Sequence, residues 1–237
     1  MTQIHLGNII VEVTQKDIKN VHLSVYPPLG QVKIAAPERM ELDTIRIYAI
    51  SKLSWIKKQQ AKILSQKREA PREYITRESH YFLGKRCLLY VIEHNSPPIV
   101  RLKHNKIELY IRPGTNSQKR KEILEAWYRN ELKELVRKQI KKWEDIMGVQ
   151  TNDFGIKKMR TKWGTCNIEA KRIWINLELA KKPIQCIDYI IVHELTHLFE
   201  RNHNSRFVAI MDNYLPNWKE LKVELNKLPV SHTEWGY

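Results

Sequence analysis

The segment His193-Glu194-Leu195-Thr196-His197, followed by His203, constrains this chain more than any other stretch. It lies in an apolar run (Ile187, Ile190, Ile191, Val192, Leu195, Leu198, Phe199) whose spacing predicts a mostly buried helix over residues 185–200. Residues four apart leave one face of a helix, so the imidazoles of His193 and His197 can share an ion. Glu194 stands about 100° round from His193, where a carboxylate can reach solvent beside that ion without ligating it. Two neutral histidines and a glutamate inside an apolar helix are costly without partners, which weighs against a chance pattern of ordinary core or surface residues. The chemistry that this pattern serves is metal-assisted hydrolysis. Zinc lowers the pKa of a bound water to about 7, and the adjacent carboxylate takes its proton.

Catalytic zinc takes three protein ligands and leaves the fourth position to water. The chain breaks at Arg201-Asn202 and restarts at Ser205, a good N-cap, so His203 falls in the intervening turn and is the preferred third ligand. The spacing His193, His197, His203 matches the metzincin signature, but Glu200 stands where that signature has the glycine of the turn. The alternative ligand is a carboxylate of the last helix, Glu220 or Glu224. A closed structural site would need a fourth ligand such as Cys166 or Cys186, and would have no use for Glu194.

Four stretches together resemble the YgjP-like metallopeptidases, a group placed with M48-type and SprT-like zincins. They are Arg160-Thr161-Lys162-Trp163-Gly164-Thr165-Cys166, Ile175-Asn176-Leu177, the His193 helix, and Asn202-His203-Asn204-Ser205-Arg206-Phe207. The resemblance is strong over residues 116–237. It is looser before, where it rests on a β-rich region, Trp55 in a basic helix and Phe82-Leu83-Gly84. It implies a zincin-like α+β catalytic domain with His193, His197 and His203 as zinc ligands and Glu194 as base. Substrate is less constrained, because members of the group range from peptidases to UTP pyrophosphatases.

The 237 residues are 42% hydrophobic with seven Trp, which excludes a disordered chain. No stretch approaches the roughly 20 apolar residues that cross a bilayer, and the N-terminus lacks the pattern of a secretory signal. Three cysteines without paired spacing (Cys87, Cys166, Cys186) suit a reducing cytoplasm. The net charge of +15 favours polyanionic partners, nucleic acid or nucleotide. Its densest clusters are Lys52, Lys57, Lys58, Lys62, Lys67 and Arg68 around Trp55, and Lys157, Lys158, Arg160 and Lys162. A solvated lysine-rich helix face is the plain alternative.

Alternation at Ile9/Val11/Val13, Val21/Leu23/Val25 and Val32/Ile34/Ala36 predicts three strands, with a turn at Pro27-Pro28-Leu29-Gly30. A helix is predicted over residues 42–66, then strands over 81–92, 99–102 and 107–111, and a long amphipathic helix over 117–147 stopped by Gly148. Short strands follow near 155–159, 162–166 and 172–176, then helices over 185–200, 205–214 and 218–226, with no internal repeat visible. The expected fold is α+β: a β-rich N-terminal region (1–115) with one basic helix, then a zincin-like domain (116–237).

Within that domain Trp163, Gly164 and Thr165 are the candidate substrate-binding residues. Gly164 permits close backbone approach, and a strand edge binds an extended peptide through its main chain. The competing expectation is that Trp163 packs in the core and Gly164 marks a bulge. Tyr189, Tyr214 and His232 are candidates for stabilising an oxyanion, although structural roles suit them better. His5, His22, His80, His94 and His104 read as surface or turn residues. The Pro229–Tyr237 tail is a candidate cover for the cleft.

Overall fold

The structure, a computed structural model, describes residues 2–26, 29–65, 72–159 and 162–228. The turn residues Pro27 and Pro28, the basic residues Lys67, Arg68 and Arg160, and the tail with His232 lie outside the described residues. The chain divides between Ala70 and Pro71 into two compact units.

In the first unit β1 (Thr2–Leu6), β2 (Ile9–Lys16), β3 (His22–Tyr26) and β4 (Gln31–Pro37) form one sheet in the order β1-β2-β4-β3. Period-two alternation buries Val11, Val13, Val32, Ile34 and Ala36 on one face. Against them pack Ile45, Ala49 and Ile56 from α1 (Leu42–Ser51) and α2 (Leu53–Ser65). The single helix expected over 42–66 is therefore two, parted at Lys52.

The second unit repeats the topology. β5 (Ser79–Phe82), β6 (Lys85–Glu93), β7 (Ile99–Lys103) and β8 (Lys106–Ile111) run β5-β6-β8-β7. Both sheets pair their first hairpin antiparallel, their central strands parallel and their last pair antiparallel. Each first hairpin turns on Leu-Gly, with Gly7 at φ +60 and Gly84 at φ +79, the left-handed region that glycine enters without strain. The strand expected over 81–92 is split by the second of these turns. The repeat escapes a sequence scan because the topology demands only alternation and a turn, which many side chains satisfy.

Leu89, Ile107, Leu109 and Ile111 of the second sheet share one core with α3 (Ser117–Met147). This is why the second sheet falls in the same compact unit as the helical half. α3 is capped by the Asn116 side chain, buries Leu124, Tyr128, Leu132, Val136, Ile140, Trp143 and Met147 along one stripe, and stops at left-handed Gly148. A third sheet, β10 (Gly164–Asn167), β11 (Arg172–Asn176) and β9 (Asp153–Lys157), is ordered β10-β11-β9, leaving β10 at an edge. A 3-10 helix (Leu177–Lys181) leads to α4 (Ile184–Thr196), followed by α5 (Ser205–Tyr214) and α6 (Trp218–Lys227).

Candidate metal centre

α4 is buried nearly all round, with Ile187, Ile190, Ile191, Val192 and Leu195 in the core, and this fixes where its polar face opens. His193 and His197 share that face. The turn after α4 returns His203 to them, and the Asn204 side chain caps α5 by accepting from the Phe207 N–H. Expected at Ser205, the cap sits one residue earlier. Glu200 shapes this turn without a left-handed backbone: its carboxylate accepts from the Asn202 N–H at 3.1 Å. The glycine of the metzincin signature is not needed here.

The ligand atoms of His193, His197 and His203 lie within 4.8 Å of one another, and His203 Nε2 stands 3.0 Å from His193 Nε2. Three nitrogens on one tetrahedral zinc are about 3.3 Å apart, so the closest pair lies near that spacing. Buried Phe207 props all three rings, its centroid 5.0, 5.0 and 4.6 Å from those of His193, His197 and His203. His197 Nδ1 is 3.1 Å from the Glu200 carbonyl; donating there leaves Nε2 as the free lone pair. Burial, the neighbouring His197 and His203, and Lys222 push the His193 pKa down to about 3, so its ring is neutral, the form that ligates metal. His193 Nδ1 is buried without a partner, so that ring is oriented by packing and by His203 at its Nε2. Among the described residues neither Glu220, Glu224, Cys166 nor Cys186 joins this cluster. The donor set suits a divalent metal ion.

Glu194 is 5% exposed, and burial raises its pKa to about 8 against the opposing pull of Lys162. It lies against the edge strand: a Cβ at Gly164 would come within 2.7 Å of Glu194 Oε1 and 2.9 Å of Ile190 Cγ2. Gly164 pairs in regular register with Ile175, so it makes room for the carboxylate rather than marking a bulge. A cleft of about 450 Å³ opens here, lined by Trp163, Gly164, Thr165 and Cys166 on one side and by Tyr189, Glu194 and the three histidines on the other. Trp163 is half-buried, so it both packs on the core and faces the cleft.

Asn176 is the residue whose role the sequence did not disclose. Buried at the end of β11, its amide donates to the carbonyls of Met159 and Lys162, and its oxygen accepts from the Met159 and Glu178 N–H groups. Its own N–H donates to the Trp163 carbonyl at 2.9 Å. It therefore ties the approach to β10 onto β11. The visible signals are a polar residue closing an apolar strand, Ile173-Trp174-Ile175-Asn176, and its place in the Ile175-Asn176-Leu177 stretch of the resemblance, neither of which gives the role.

Of the three oxyanion candidates, Tyr189 lines the cleft, whereas the Tyr214 hydroxyl donates to the Met147 carbonyl instead. His80 is not a surface histidine. It is 1% exposed beside Glu78. In the basic clusters Lys158 pairs with Glu125 at 2.6 Å, while Trp55, Lys57, Lys58 and Lys62 stay exposed. No helix among the described residues is long and apolar enough to cross a membrane.

A family described as YgjP-like, metallopeptidase domain, matches residues 19–228. The chain belongs to the YgjP-like metallopeptidase family. No curated protein matches it. Among solved structures, this YgjP-like chain is similar to the metallopeptidase zymogen abylysin of Pyrococcus abyssi, at 21% identity and TM-score 0.36 over 40% of this chain and 99% of the other. It is also similar to the zymogen jannalysin of Methanocaldococcus jannaschii, at 20% identity and TM-score 0.35 over 38% and 92%.

Proposed function

We propose that this metallopeptidase uses zinc held by His193, His197 and His203, with Glu194 as general base and Trp163-Gly164-Thr165 as the substrate-binding edge. The observation that carries this reading is the position of Glu194, buried in the wall of the cleft that the three histidines also line, and against an edge strand without a side chain in its way. When bound, zinc polarises the scissile carbonyl, acidifies a water molecule and favours the ionised form of Glu194.

The chain supplies the rest. β10 presents free main-chain groups to an extended peptide, which adds as a further strand and brings its backbone to the cleft. Glu194 takes a proton from the attacking water as the new C–O bond forms. It then delivers that proton to the amine nitrogen as the C–N bond breaks. The low-dielectric wall of Ile190 and Trp163 strengthens each of these electrostatic contacts. Cys87, Cys166 and Cys186 are all free thiols, which supports a cytoplasmic site of action.

Glu194→Gln tests the proposal. Cleavage of a casein or peptide substrate is expected to fall by about 10²–10⁴-fold with zinc content unchanged; turnover that persists in the variant overturns it. A nucleoside triphosphate pyrophosphohydrolase is the second reading, favoured by Lys162 and Arg201 lining the same cleft. Nucleoside triphosphates assayed beside the peptides separate the two.

A further inference from the structure

The charge around the cleft is one-sided. Lys162, just ahead of β10, and Arg201, in the turn after α4, line it from different elements, and the only carboxylate in its wall among the described residues is the buried Glu194. Lys222 of α6 acts on His193 from a third direction. None of the three cations has an ion-pair partner among the described residues. The acid next to Arg201 in sequence, Glu200, accepts from the Asn202 N–H instead. A cleft with low-dielectric walls and charge of one sign concentrates the opposite charge inside it.

We infer that this cleft selects peptides carrying aspartate or glutamate beside the bond cleaved, with Lys162 and Arg201 as the selecting residues. The inference rests on the peptidase reading above and adds the substrate class. A substrate paired along β10 brings side chains from both sides of its scissile bond into the cleft, where a carboxylate meets Lys162 or Arg201, neither held in an ion pair among the described residues, and a lysine meets a like charge. Each such contact is partly solvated and is worth a few-fold; two together give about tenfold. The preference must weaken as salt is added.

The test uses the zinc-loaded full chain on matched peptides that differ only in Glu, Ala or Lys flanking one scissile bond. The readout is the ratio of kcat/KM for the acidic peptide to that for the basic one, in wild type, Lys162→Glu and Arg201→Glu. A ratio separates selection from any general loss of activity caused by placing charge near Glu194. The expected result is a wild-type ratio of about tenfold or more, smaller at high salt and lowered or inverted in each variant. Peptides cut without charge preference, or with a preference that neither reversal alters, overturn the inference and leave the peptidase reading intact. Hydrolysis of nucleoside triphosphates with no peptide cleaved overturns the peptidase reading and the peptide occupant together.

Discussion

A hydrogen atom in place of a side chain at Gly164 lets the Glu194 carboxylate sit against β10, since any Cβ there would collide with it. Gly164→Ala is therefore expected to move Glu194 and lower kcat by about 10²-fold while zinc binding persists, read by steady-state kinetics beside zinc content. Wild-type kcat in that variant would show that the carboxylate has slack the packing denies. His203→Ala removes one of three donors, and its zinc affinity should drop by more than about 100-fold, the upper cost of losing even an outer-shell partner. A competitive chelator titration measures this, and unchanged affinity would return the third position to a carboxylate. The histidines and Glu194 were legible because helical spacing is rigid and their chemistry is narrow. Asn176 was not, because a single asparagine at a strand end is ordinary until the carbonyls it gathers are seen.

Among the elements, α3 and α5 span the residues their periodicity predicts and Gly148 stops α3 as expected, whereas the cap of α5 is Asn204 rather than Ser205. The break at Lys52 and the strand β1 carry no comparable mark; the helices on either side of Lys52 pack onto the first sheet, and β1 pairs with β2 within it. β5 shows a further effect of burial that pattern alone conceals. His80, in that strand, has its pKa lowered from 6.5 to about 3 by burial, reinforced by Arg72 and Lys181, and Glu78 at 3.6 Å does not reverse this. A folded-state value below the unfolded one means the contribution is full above about pH 6.5 and is lost as pH falls toward 3. At pH 5 the loss is about 2 kcal/mol relative to neutral pH. Urea unfolding at pH 7 and pH 5 should show wild type losing about that much more stability than His80→Gln; equal losses would contradict it. α2 makes a separate claim through exposed Trp55, Lys57, Lys58 and Lys62. Single-stranded nucleic acid binding that weakens with salt and with Trp55→Ala would support the polyanion contact, and no binding at low salt would remove it.

For the whole molecule, α+β composition, helix order and the buried helix that carries His193 and His197 followed from periodicity, whereas the doubled four-stranded topology did not. Two sheets of the same connectivity, each opened by a Leu-Gly turn, share too few side chains for the repeat to show in sequence. The net charge of +15 has an address that composition could not give, since Lys162 and Arg201 place part of it at the cleft. All of this turns on whether the three imidazoles hold the catalytic metal ion. X-ray absorption at the zinc edge of the loaded protein tests that most directly. The account predicts three imidazole nitrogens and one light atom at about 2.0–2.1 Å, with an imidazole lost in His203→Ala. A sulfur shell near about 2.3 Å, or a spectrum that His203→Ala leaves unchanged, would contradict it.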